Sequence, residues 1–200
     1  MKTIEWILCD VSGVIIAPTL KNPNGYTVET RYFSQEQLEG MYTAKEYTNY
    51  MLGYISHEQF IGKYLKQHKL DLSVSEFDEL FKKDVVPTEG METLFQTLEK
   101  KYKIALATNE GKMLMKYKVE GSGLVQYLSK VIPSYLLREI KPHSNFFKKT
   151  LNIIGAQPDE CIFIDDMKQN CDAASSLGIK SIQFKDAKQL EAKLTTLHIL

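Results

Sequence analysis

Two hundred residues are enough for one large domain, or for a domain carrying a smaller insert. The 25 Lys and Arg residues balance 25 Asp and Glu, which argues against electrostatically driven binding to nucleic acid or to an anionic membrane. A hydrophobic fraction of 44% allows a sizeable core, and no run approaches the ~20 apolar residues of a membrane span. Met1 to Trp6 lacks the long apolar core of a signal peptide. Cys9, Cys161 and Cys171 are odd in number and lack metal-type spacing. They read as small buried thiols in a reducing compartment, so a cytoplasmic location is expected.

In chain order, the apolar run Ile4–Cys9 reads as a buried strand that stops abruptly at Asp10-Val11-Ser12-Gly13. Residues 17 to 33 are polar and rich in turns, with a strong turn signal at Asn22-Pro23-Asn24-Gly25 and weak alternation over Tyr26–Tyr32 that allows a small hairpin. Helical patterns follow. Ser34 starts a short one, Thr43 to Leu52 a second, and Ser56-His57-Glu58-Gln59 reads as a capping box for a third. Ser73 or Ser75 starts a fourth, which carries Phe77, Leu80 and Phe81. From Pro87 onward, strands alternate with helices. Strands are expected at Lys103–Ala107, Val131–Ile132, Cys161–Ile164 and Lys180–Phe184. That alternation marks a parallel sheet covered on both faces. The predicted architecture is an α/β, Rossmann-like core made of residues 1–16 and 87–200. An all-helical cap, residues 17–86, is inserted after the first strand.

Polar residues gather where these strands end or loops begin: Asp10 and Ser12, Thr108 and Asn109, Lys141, and Asp165 with Asp166. In open α/β sheets ligands bind at the carboxyl ends of strands. Singly, each has an ordinary reading: Thr108-Asn109 and Asp165-Asp166 can start helices, and Lys141 can be a solvated loop lysine. Together they define a site. Two carboxylates such as Asp10 and Asp166 repel unless a cation neutralises them, and oxygen-only ligands suit Mg²⁺. Lys141 adds a fixed positive charge and Thr108 a hydroxyl donor, which suits the oxygens of a phosphoryl group. Asp10 is then placed to attack phosphorus and form an aspartyl-phosphate.

These stretches resemble the four ordered motifs of the haloacid dehalogenase-like superfamily. Asp10-Val11-Ser12-Gly13-Val14 is similar to the first, Ala105 to Asn109 to the second, and Lys141-Pro142 to the third. Phe163-Ile164-Asp165-Asp166, with Asn170, is similar to the fourth. The adjacent acid pair and Gly53-Tyr54-Ile55-Ser56 resemble members related to sugar-phosphate phosphatases and the phosphatase domain of soluble epoxide hydrolases. The resemblance implies a Rossmann-like core, a mobile helical cap, Mg²⁺ and hydrolysis of a phosphate ester. It makes Asp10 the nucleophile and, with the Ser12 carbonyl and Asp166, a metal ligand. Thr108, the Asn109 backbone and Lys141 hold the substrate's phosphate. Asp165 and Asn170 stand behind these groups, Asp165 orienting Lys141.

Phosphatase relatives carry an acid at the position of Ser12, which protonates the leaving alcohol and then deprotonates water. A serine hydroxyl cannot alternate between those roles, and general acid–base help is worth ~10² to 10⁴ in rate. The expected function is therefore Mg²⁺-dependent hydrolysis of a small organic phosphate, slowed by Ser12. Two alternatives stay open: a phosphate-binding pseudoenzyme, and a hydrolase that cleaves a carbon–halogen or carbon–phosphorus bond. The expected partner is a small phosphorylated molecule; the sequence leaves the oligomeric state open.

Overall fold

The computed structural model describes residues 3–200. Met1 and Lys2, which begin the stretch read as lacking a signal-peptide core, lie outside the described residues. Strand β1 (Trp6–Cys9) is followed by β2 (Tyr26–Val28), β3 (Arg31–Phe33), α1 (Gln35–Glu39), α2 (Tyr47–Met51), α3 (His57–Gln67) and α4 (Val74–Lys83). Then come α5 (Met91–Leu98), β4 (Lys103–Thr108), α6 (Lys112–Gly121), β5 (Lys130–Pro133), α7 (Ser134–Leu137) and α8 (Ser144–Ile154). The chain closes with β6 (Cys161–Asp165), α9 (Lys168–Ser175), β7 (Lys180–Gln183) and α10 (Ala187–Thr196).

Five strands form one parallel sheet in the order β5-β4-β1-β6-β7. β1 is central, so both of its faces are covered and every residue in it is buried. Alternation divides its side chains between two cores. Ile7 and Cys9 join Ile104, Leu106, Ile162 and Ile164 on one face. Trp6 and Leu8 join Ala105, Ala107 and Phe163 on the other, where Phe147 packs edge-on against Phe163 at 5.2 Å. The β4–β1–β6 arrangement brings the carboxyl ends of three strands side by side, the usual position of a ligand crevice in such sheets.

Residues between β1 and β4 share the first of these cores. Tyr50, Phe60, Tyr64, Phe77 and Phe81 belong to the same buried cluster as Ile7 and Ile164. Each buried aromatic of this kind stabilises the fold by about 1.5–3 kcal/mol. Serine caps start three of the helices, with reciprocal capping boxes at Ser34/Gln37, Ser56/Gln59 and Ser73/Glu76. The all-helical expectation for residues 17–86 is corrected by an antiparallel hairpin, in which Tyr26 pairs with Phe33 and Val28 with Arg31. Each strand has only three residues, which is why the alternation over Tyr26–Tyr32 is weak. The Asn22–Gly25 turn leads into this hairpin, while Glu29 and Thr30 form its apex. The helix expected over Thr43–Leu52 begins later, because the chain is extended at Ala44 after a 3₁₀ turn at Gly40–Thr43.

A contact between these layers fixes α6. Gly111 precedes that helix and has no side chain with which to cap it. The Tyr50 hydroxyl instead accepts the Met113 and Leu114 N–H groups, each at 3.2 Å. Tyr50 also meets His57 Nδ1 at 3.2 Å, and His57 Nε2 lies 2.7 Å from Asp78.

Candidate active site

Asp10 follows the last residue of β1 and is 7% exposed. Its Oδ1 accepts the Val11 N–H at 2.7 Å and lies 2.9 Å from Lys141 Nζ. The chain then turns tightly, with the Ile15 and Ile16 N–H groups donating to the Val11 carbonyl. Gly13 sits inside this turn at φ +77°, where a Cβ would stand 2.6 Å from Asp166 Oδ2. Only a glycine lets the first loop come so close to the end of β6.

At that end, Asp165 is fully buried and Asp166 is exposed. Asp165 Oδ2 accepts from Lys141 Nζ at 2.6 Å, and Oδ1 accepts the Met167 N–H and the Asn170 amide at 2.9 Å each. Burial, then the charge of Asp10, pushes the Asp165 carboxyl up to about 6, against the pull of Lys141 and Asn170. The same two causes raise Asp166. Burial alone would lower Lys141, but Asp10 and Asp165 together outweigh it and raise the ammonium's pKa. Lys141 therefore bridges two carboxylates as a buried cation.

Thr108, the last residue of β4, is buried and lines the same cavity. The Asn109 side chain is committed elsewhere. Its amide donates to the Lys141 carbonyl at 2.9 Å and its Oδ1 accepts the Lys141 N–H at 2.8 Å. Asn109 thus ties the end of β4 to the loop that presents Lys141.

Sequence reasoning missed the groups behind Ser12. Lys118 Nζ donates to Ser12 Oγ at 2.8 Å and to Glu110 Oε2 at 2.5 Å. Both charged side chains are almost wholly buried. Glu110 also accepts from the Tyr47 hydroxyl at 3.3 Å and from the Gly111 N–H at 2.9 Å. Burial opposes the Lys118 charge, but Glu110 outweighs it and the ammonium's pKa is raised. A signal was present. Lys118 lies four residues after Leu114, on the buried stripe that also carries Met115, where an apolar residue is the rule.

A cavity of about 360 Å³ brings these residues together, with Asp10, Ser12, Thr108, Asn109, Lys118, Lys141, Asp166 and Asn170 in its walls. Pro18, Lys21, Glu39, Tyr42 and Tyr47 close it from the other side. A larger groove of about 590 Å³ runs between β2 and α4 but gathers none of the strand-end residues. One carboxylate oxygen from each of Asp10, Asp165 and Asp166 lies within 4.8 Å of the others. Asp165 is already spent on Lys141, Asn170 and the Met167 N–H, so the pair with capacity for a cation is Asp10 and Asp166. An all-oxygen donor set fits a hard divalent ion such as Mg²⁺. A cation between two carboxylates, a lysine and a hydroxyl can hold and polarise a phosphoryl group.

The family described as Haloacid dehalogenase-like hydrolase matches residues 21–184. The chain is 33% identical over 76 residues to flavin mononucleotide hydrolase 1 of Arabidopsis thaliana, covering 38% of this chain and 31% of that one. It spans less than half the length of the curated relatives it matches. An enzyme of the same family from Bacteroides thetaiotaomicron, solved as a magnesium complex, superposes with a TM-score of 0.70 at 23% identity, over 92% of this chain and 95% of that one. A predicted haloacid dehalogenase-like hydrolase from Porphyromonas gingivalis superposes at 0.72 with 18% identity, over 98% of each chain. No helix among the described residues is long and apolar enough to cross a membrane.

Proposed function

The chain belongs to the haloacid dehalogenase-like hydrolase family, and from that premise we propose that it is a Mg²⁺-dependent phosphatase of a small organic phosphate. The observation that carries this reading is the Lys141 bridge, a buried ammonium 2.9 Å from Asp10 and 2.6 Å from Asp165. Val11 and Lys141 both engage Oδ1 of Asp10, which assigns the attack on phosphorus to Oδ2. Lys141 and the Thr108 hydroxyl balance charge on the phosphoryl oxygens as an aspartyl-phosphate forms and is hydrolysed. Asp10, the Ser12 carbonyl and Asp166 would hold Mg²⁺, which when bound supplies positive charge and relieves the repulsion between the two acids. Residues 17–86 act as a cover whose inner wall selects the substrate. The flavin mononucleotide hydrolase likeness and the magnesium complex of the Bacteroides enzyme support a phosphate substrate and this metal.

The test is a phosphomonoester panel with and without Mg²⁺, run beside Asp10→Asn. Turnover by the wild type alone, dependent on Mg²⁺, is the expected result. A wild type no faster than Asp10→Asn on every compound rejects the reading.

A further inference from the structure

The leaving-group side of this site is what sets it apart. An alkoxide departs only with a proton, and a positioned carboxylic acid normally supplies one at a gain of ~10² to 10⁴ in rate. Among the described residues lining the cavity, the carboxylates are Asp10, Asp166 and Glu39. Asp10 is the attacking group, and Asp166 would hold the metal. Glu39 accepts from Gln35 and pairs with Lys21, contacts that hold its carboxyl below the usual range and keep it ionised. Glu110 lies behind the wall, locked to Lys118. The tyrosines are engaged as well, Tyr47 with Glu110 and Tyr42 with Thr19. The donor on the first loop, two residues after Asp10, is the Ser12 hydroxyl. One of its lone pairs is occupied by Lys118, which leaves its own proton to point at a neighbouring oxygen.

We propose that the site takes activated phosphates, whose leaving group departs as a stable anion: acyl phosphates and phosphoanhydrides rather than alkyl esters. Lys118, acting through the Ser12 hydroxyl, is a positioning residue that steadies the charge appearing on the departing oxygen. The inference rests on the phosphatase reading above. In the first step the Asp10–phosphorus bond forms and the bond to the leaving oxygen breaks, with the electron pair staying on that oxygen and no proton transferred. In the second, water attacks phosphorus, the Asp10–phosphorus bond breaks, and both protons of the water leave on the product as H₂PO₄⁻. A fixed cation behind a hydroxyl suits this chemistry, because a departing carboxylate or phosphate needs charge compensation and not a proton.

Acetyl phosphate and p-nitrophenyl phosphate are compared with glycerol 3-phosphate and ribose 5-phosphate in saturating Mg²⁺. The wild type is expected to favour the activated pair in kcat/KM by about 10²-fold or more, the help that alkyl esters lack here. A series of substituted phenyl phosphates then compares wild type with Glu110→Gln/Lys118→Met, which removes both buried charges together. The double variant is expected to show a steeper dependence on leaving-group basicity. Alkyl esters turned over within tenfold of the activated pair overturn the inference and leave the phosphatase reading standing. So does an unchanged leaving-group dependence in the double variant. If that variant does not fold, the wild-type panel decides alone. A wild type no better than Asp10→Asn on all four probes rejects both.

Discussion

The Lys118 ammonium donates to the Ser12 hydroxyl at 2.8 Å, joining residues 106 positions apart. The pair places a buried positive charge behind the first loop, two residues after Asp10. Its consequences are measurable in both activity and stability.

Ser12→Asp restores a carboxylate to the first loop without disturbing the backbone carbonyl. Lys118 then faces two acids and stays charged. Turnover of an alkyl phosphate is expected to rise about 10²-fold or more, the usual worth of general acid–base help. Steady-state rates with glycerol 3-phosphate measure it. An unchanged rate would mean that another group already delivers the proton.

Lys118→Met alone strands the Glu110 carboxylate in the core. Removing one partner of a buried pair costs about 3–5 kcal/mol. Glu110→Gln added to it removes the stranded charge and is expected to recover most of that loss. Urea midpoints of the two variants separate the cases: equal destabilisation would show that the charge of Glu110 is not the cause.

Gly13→Ala tests the proximity of the first loop to Asp166. The left-handed conformation costs an alanine about 1–2 kcal/mol, and its Cβ would press on Asp166 Oδ2. Asp166 must move, so Mg²⁺ affinity measured by titration calorimetry is expected to fall about tenfold, or 1.4 kcal/mol. Unaltered affinity would remove Asp166 from the metal site.

Glu76 links acid stability to the hairpin. The Ser73 N–H and hydroxyl, then Arg31, hold its carboxyl down at about 2. A carboxyl lowered in the folded state adds stability above its ordinary value near 4.5, and that stability is lost as pH falls through 2. The stability gap between wild type and Glu76→Gln is therefore expected to narrow from pH 5 to pH 2, read from urea midpoints. A gap that widens as pH falls would reverse the assignment.

Asp10, Thr108 and the Asp165-Asp166 pair were legible because each ends a continuous apolar run, and a buried strand must stop where polar groups begin. Lys141 has no strand before it, so only its motif marked it out. Glu110 and Lys118 were hidden for a physical reason. A buried ion pair looks in sequence like two solvated charges until folding shows what covers them. His57 is hidden in the same way, since its contacts with Tyr50 and Asp78 form only on folding. Helix α7 has four residues, barely one turn, and leaves no periodic trace.

The Tyr50 hydroxyl at the start of α6 has a mechanical consequence. Swinging residues 17–86 away from the sheet as one body would strip two amide groups of their acceptor. It would also loosen the helix that carries Lys118. That edge of residues 17–86 is therefore tied to the start of α6. In the cavity wall Lys21 and Glu39 pair at the surface, with side chains 50% and 30% exposed. A surface ion pair of this kind is worth only about 0–1 kcal/mol, so the Tyr50 contact, not this pair, is what holds residues 17–86 to the core beside the site.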